Sequence, residues 1–256
     1  MKKPTPSLLT VLKSVPISPN MQRITLQGEA LTHFPNNCEG SYIKLLFTQT
    51  GSTDLTKVDE NERPVMRTYT IKHFSPLQRT IDVDFVRHTT DDCRCGFAAR
   101  WAMHAKTGDT INIAGPGSIS SLNINADWFF TVADMTALPA LSTKLCTLPD
   151  DAKGYAVIKV IETADIQTLD TPTGIEVIWL VDNETLTPKI KSLPWLTGTA
   201  SVWVACEFDT MRELRDYFRN EKKVAKENIY ISSYWKKGVT EDGHKVIKQQ
   251  DANEAG

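Results

Sequence analysis

Three residues with usable chemistry sit together in the run Val65-Met66-Arg67-Thr68-Tyr69-Thr70-Ile71. Its alternation is that of a strand. Val65, Arg67, Tyr69 and Ile71 point to one side, and Met66, Thr68 and Thr70 to the other. Pro64 precedes the run, a common place for a strand to begin. A planar guanidinium suits a diphosphate, and a flat ring two residues away suits a flat cofactor. The Thr70 hydroxyl can donate or accept a hydrogen bond at a ring nitrogen. The same pattern also describes a solvated sheet rim, so its meaning depends on the rest of the chain.

Other segments carry weaker signals. In Gly96-Phe97-Ala98-Ala99-Arg100-Trp101 a glycine opens a helix, and free backbone N–H groups there favour phosphate. A plain helix start reads the same way. Asp134-Met135-Thr136-Ala137-Leu138-Pro139 follows an apolar strand and enters a helix, where a parallel sheet binds a dinucleotide. Gly-x-Gly-x-x-Gly is absent throughout, which excludes the standard Rossmann fingerprint. Tyr234-Trp235-Lys236-Lys237-Gly238 sets a stacking ring beside two cations, or else packs Trp235 in the core and leaves both lysines wet. His88 and His104 are the candidate functional histidines. No Ser/His/Asp or Cys/His set is formed, so hydrolase chemistry is rejected. Cys38, Cys93, Cys95, Cys146 and Cys206 are odd in number and scattered, which argues against a disulfide framework. Cys93 and Cys95 lack the partners of a metal site, and none is expected.

These groups must be positioned by two kinds of element. Residues 8–15, 21–27, 41–47, 65–71, 80–88 and 110–116 read as strands, with a short helix over 96–105 and closely spaced turn signals. That is a small antiparallel β-barrel. After Asn125 the character changes. Apolar strands over 128–133, 154–161, 176–180, 200–206 and 228–235 alternate with helices over 136–146 and 210–223, the mark of a parallel α/β sheet. The expected organisation is a barrel over 1–123, an α/β domain over 124–245, and a disordered polar tail over 246–256. Ligands favour the cleft between such domains and the carboxyl ends of parallel strands.

The totals exclude several partner classes. The 256 residues are 41% hydrophobic, enough for real cores, and the net charge is −2. No global field attracts nucleic acid or acidic lipid, so an anion site must be local. No run approaches the roughly 20 apolar residues of a membrane span, and none after Met1 resembles a signal peptide. A cytoplasmic monomer is expected.

Taken in order, five segments resemble the siderophore-interacting protein family of flavoprotein ferric-siderophore reductases, in the ferredoxin reductase-like superfamily. They are 67–70, 82–88, 96–102, 134–140, and 203–207 with the late 234–238. The resemblance implies that the barrel binds FAD, with Arg67 at the diphosphate, Tyr69 against the flavin, Thr70 near its N5 edge, and Thr68 within the same motif. It places Asp84, Phe85, Val86 and His88 along the ribityl and adenine side. Backbone groups of Ala98 and Ala99 would meet phosphate. Asp134, Thr136 and Glu207 would face the nicotinamide nucleotide or the flavin's outer edge, and Trp235 would close over the flavin.

There are departures from the family pattern. Ala99 replaces a usual serine, Cys206 a frequent glycine, Gly117 a frequent arginine, and Tyr230 a basic residue. Lys44 matches a basic family position, and Lys236 or Lys237 would supply a substitute charge to the substrate. The implied activity is reduction of a ferric siderophore by NADH or NADPH through FAD, with iron released as the ferrous ion. Two alternatives are a general flavin or ferredoxin-type reductase, in which ferredoxin is a partner, and a flavin-free siderophore carrier.

Overall fold

The computed structural model describes residues 6–57, 62–87, 96–118 and 122–254. The chain forms two compact units, Met1–Ile119 and Ser120–Gly256.

The first unit holds seven strands: β1 (Ser7–Ser18), β2 (Met21–Gln27), β3 (Tyr42–Phe47), β4 (Val65–Thr70), β5 (His73–Ser75), β6 (Thr80–Val86) and β7 (Thr110–Gly117). They make one antiparallel sheet in the order β4-β3-β7-β1-β2-β6-β5. The alternation of each strand sends one set of side chains inward. Leu9, Val11, Ile24, Leu26, Ile43, Leu45, Ile81, Val83, Ile111 and Ile113 are all fully buried in one core. The sheet curls on itself, bringing the Tyr69 ring on β4 to 4.3 Å from the Phe85 ring on β6. Irregular register in β1 lets that long strand bend. Helix α1 (Phe97–His104) lays Ala98 and Ala102 into the core. Trp101 on α1 meets both Phe47 and Phe85 edge-on. The three-residue β5 is an addition to the strands read from sequence.

The second unit contains β8 (Trp128–Asp134), α2 (Leu138–Leu145), β9 (Lys153–Lys159), β10 (Gly174–Leu180), α3 (Leu186–Ser192), β11 (Ala200–Glu207), α4 (Phe208–Asp216), β12 (Ile229–Trp235) and α5 (Glu241–Glu254). The five strands are parallel, in the order β10-β9-β8-β11-β12. β8 is buried along its whole length, as expected for a strand covered on both faces. Successive strands run outward in one direction from β8 through β9 to β10, and in the other from β11 to β12. The order therefore reverses between β8 and β11, the place where open α/β sheets bind ligands beyond their carboxyl ends.

Two expectations change here. The tail from residue 246, expected to be disordered, belongs to helix α5 up to Glu254. Ile247 packs against the core of the unit, and the rest of the contact face of this helix is polar. His244 accepts from or donates to Ser233 Oγ at 2.8 Å, Lys248 Nζ donates to Ser232 Oγ at 2.6 Å, and Asp251 takes two bonds from Arg215 at 2.5 and 2.7 Å. The single helix expected over 210–223 is α4 followed by a π-helical turn, Tyr217–Glu221. Among the described residues no helix is long and apolar enough to cross a membrane.

Candidate functional site

On the first unit the site is built around β4. Arg67 and Tyr69 do share a face, and it is the inner one. Arg67 is only 8% exposed and Tyr69 is half-buried. The Arg67 side chain donates to the Met66 carbonyl at 3.0 Å, and its guanidinium lies 5.7 Å from the centre of the Phe97 ring. Phe97 is the first residue of α1, so the buried cation stands beside a helix start. The first N–H groups of that helix have no partner within it. Ala98 and Ala99 are buried there and present backbone only. Phe85 backs the Tyr69 ring. Thr70 is buried at the end of β4, while Thr68 faces outward opposite Lys44 on β3.

Asp84 is buried, and its charge is matched inside the unit. Arg23 on β2 grips it with two bonds, at 2.7 and 2.8 Å. That bond is the main reason the Arg23 pKa is raised. The carboxylate nearest in sequence to Tyr69's partner Phe85 therefore brings no net negative charge to the cluster. Sequence reasoning singled out Asp84 but not Arg23. The signal was the cross-strand register, which sets Arg23 opposite Asp84. Val86 is half-buried. His88, Cys93 and Cys95 lie outside the described residues. His104 spends Nδ1 on the Arg100 carbonyl at 2.8 Å, a helix-end contact.

Lys44 sits 5.9 Å from the centre of the Tyr42 ring. The Tyr42 ring also explains the glycine at position 117. A Cβ there would stand 2.3 Å from the ring. Any side chain at that position, arginine included, requires Tyr42 to move.

On the second unit the expected residues converge at the carboxyl ends of β8, β11 and β12. Asp134 ends β8, Glu207 ends β11 and Trp235 ends β12. The Trp235 indole donates to Asp134 Oδ2 at 2.7 Å, joining strands on either side of β11. Asp134 Oδ1 takes the Thr136 hydroxyl at 2.5 Å and the Thr136 N–H at 2.9 Å. Both oxygens are thus engaged by the chain itself. Burial pushes the Asp134 pKa up, against the hydrogen bonds from Thr136 and Trp235 that favour the charged form. Glu207 is similarly engaged. One oxygen caps α4 through the Asp209 and Thr210 N–H groups, and the other accepts from the Lys237 N–H at 3.2 Å. Lys236 is half-buried and ion-paired with Asp209 at 2.7 Å, its ammonium over the Phe208 ring. Lys237 is exposed. Cys206 is fully buried, and desolvation raises its pKa well above the ordinary value. Among the described residues no group of three or more His, Cys, Asp and Glu side chains could hold a metal.

Comparison with known proteins decides the family. Residues 10–119 match the family model for the siderophore-interacting FAD-binding domain, and residues 126–238 match that for the siderophore-interacting protein. The ferric vibriobactin reductase ViuB of Vibrio cholerae is 32% identical, over 93% of this chain and 92% of that protein. The chain belongs to the siderophore-interacting protein family. The crystal structure of the siderophore-interacting protein SipS from Aeromonas hydrophila superposes with a TM-score of 0.85 at 30% identity, covering 97% of this chain and 98% of that one. The NADPH-dependent ferric-chelate reductase of Escherichia coli is 28% identical over 89% of this chain and 91% of its own.

As a siderophore-interacting protein, the chain uses FAD, and its first unit is the FAD-binding domain. The donor set suits that cofactor. A buried guanidinium and a helix start can both donate, and a half-buried aromatic ring shares the guanidinium's face of β4. The buried carboxylate of that part of the sheet, Asp84, is neutralised by Arg23. Such a set accepts a diphosphate and a flat ring and would repel neither.

Proposed function

We propose that this chain is an FAD-dependent ferric-siderophore reductase that takes its electrons from NADH or NADPH and releases iron as the ferrous ion, in the cytoplasm. The observation that carries the reading is Arg67, a guanidinium buried beside the start of α1 in a matched FAD-binding domain. The 32% identity to a protein named ferric vibriobactin reductase supplies the substrate class.

FAD when bound supplies the conversion of a two-electron hydride donor into one-electron delivery to iron. The chain's own residues bind and orient. Arg67 and the first N–H groups of α1 hold the diphosphate. Tyr69, backed by Phe85, offers a ring for the flavin to lie against, and the Thr70 hydroxyl serves a ring nitrogen. Asp84, fixed by Arg23, and Val86 on the same strand would serve the ribityl and adenine side, and His88, outside the described residues, is assigned to that side by the family resemblance alone. On the second unit, Asp134 orients the Trp235 indole and the Thr136 turn, and Glu207 shapes the start of α4, so that the nucleotide meets a preset edge at the strand reversal. For the anionic chelate, Lys44 and Lys237 offer positive charge. Lys236 contributes less, because Asp209 already balances it.

The test is turnover. Purified protein loaded with FAD is mixed anaerobically with NADH or NADPH and a ferric catecholate, and ferrous iron is trapped by a ferrous-specific dye. Dye formation that needs both the nucleotide and the flavin supports the reading. Binding of the chelate without reduction would leave a carrier instead.

A further inference from the structure

We infer that Phe97 is the positioning residue of the diphosphate site, and that through it Arg100 joins Arg67 as a second phosphate-binding cation. The inference rests on the flavin reading above and adds two residues that it does not use.

The ring of Phe97 lies 5.7 Å from the Arg67 guanidinium carbon and 5.3 Å from that of Arg100. Both fall inside the ~6 Å over which a cation is held by an aromatic face. The two cations come from different elements, Arg67 from β4 and Arg100 from α1. One ring therefore keeps both charges within about 11 Å of each other, whatever their angle around it. The ring is itself wedged. Phe47 flanks it at 6.4 Å, and a Cβ at Gly51 would stand 2.7 Å from its Cδ1. Gly51, with φ at +85°, is both the residue that its turn tolerates and the one that leaves room for Phe97.

Charge matching gives the arrangement its purpose. The diphosphate of a dinucleotide carries about two negative charges, and one guanidinium balances one of them. At Ala98 and Ala99 this chain has no polar side chain, so α1 offers only backbone donors there. A second guanidinium anchored one turn into the same helix supplies the missing charge, and the shared ring keeps the two cations gathered before the anion arrives. That is preorganisation: the repulsion between them is met in advance by the π face instead of by the ligand.

The competing role for Phe97 is simple core packing, since it touches Phe47. Leucine separates the two roles, because it keeps the apolar bulk and removes the ring. The full-length chain, depleted of flavin, is titrated with FAD and with riboflavin, which has the flavin ring and ribityl chain but no phosphate. Phe97→Leu is expected to bind FAD about tenfold more weakly, with riboflavin affinity unchanged and Phe97→Tyr close to wild type. Arg100→Gln is expected to lose FAD affinity to a similar extent and to show a flatter dependence on salt. Equal loss of FAD and riboflavin in Phe97→Leu would reduce the ring to packing and overturn the inference. So would wild-type FAD affinity in Arg100→Gln, a half-buried helix position whose replacement leaves the core untouched and which decides the matter if Phe97→Leu does not fold. A wild-type chain that takes up no FAD would instead strike the flavin reading itself.

Discussion

Trp235→Phe isolates one bond at the strand reversal, and its effect should depend on pH. The indole N–H donates to Asp134 Oδ2 at 2.7 Å. Phenylalanine keeps a ring and deletes that donor, leaving a buried carboxylate one partner short. Losing a hydrogen bond to a charged group costs about 1.5–3 kcal/mol. The Asp134 pKa is already raised by burial, and the Trp235 bond is one of the contacts holding it down, so the substitution pushes it higher still. Proton counting gives the sign. Between the unfolded value and the raised folded value, the folded chain holds a proton that the unfolded chain has released. Stability therefore falls as pH rises through that window and levels off above it. In Trp235→Phe the window is wider, so the penalty is largest in alkaline solution and shrinks as acid protonates Asp134. Urea unfolding of wild type, Trp235→Phe, Asp134→Asn and the double variant, in alkaline and mildly acidic buffer, reads this directly. In the Asp134→Asn background the Trp235 substitution should cost only about 1 kcal/mol, the value of a neutral hydrogen bond. A penalty that is independent of pH and equally large in the Asp134→Asn background would refute the reasoning.

Arg67→Ala removes the buried guanidinium and should weaken FAD binding by about 10- to 100-fold, from the 1.5–3 kcal/mol of a charged hydrogen bond, as measured by flavin fluorescence on titration. Arg215→Ala should destabilise the docking of α5 by a similar energy and speed hydrogen exchange along Glu241–Glu254. Arg215 is also the main cause of the lowered Asp251 pKa. Wild type should keep that stabilisation above the unfolded carboxylate value and lose it as pH falls through the lowered folded one, and the variant, left with Arg212 at 3.3 Å from Asp251, should show a shallower acid limb. Lys44→Ala should raise KM for an anionic ferric chelate and leave KM for a neutral one unchanged. An equal effect on both would make Lys44 structural.

The fold was legible in the sequence wherever apolar spacing carried it. Every long strand of both sheets shows a period of two or an apolar run, so the barrel and the parallel sheet could be read in outline. What escaped lacks that signal. β5 is three residues long, too short to alternate. α3 carries Pro188 in its first turn, which reads as a loop. α5 docks through His244, Lys248 and Asp251 with Ile247 as the apolar contact among them, so its hydrophobic pattern is weak and the segment resembles a tail. At the site, the shared face of Arg67 and Tyr69 followed from alternation alone. The Trp235–Asp134 bond did not. Its partners lie 101 residues apart, and only the order of the parallel strands brings them together. Nor did sequence order show that Phe97 would sit between two guanidiniums, because one of them belongs to a distant strand.

Electron flow through a flavin held by the first unit is the central claim. The direct measurement is stopped-flow re-oxidation of the anaerobic, photoreduced protein by a ferric catecholate and by a ferric hydroxamate. The expected result is a yellow protein whose flavin, once bleached, regains its colour at a rate that rises with chelate concentration while ferrous iron accumulates. A colourless chain that takes up no added FAD, or a reduced flavin indifferent to ferric chelate, would contradict it.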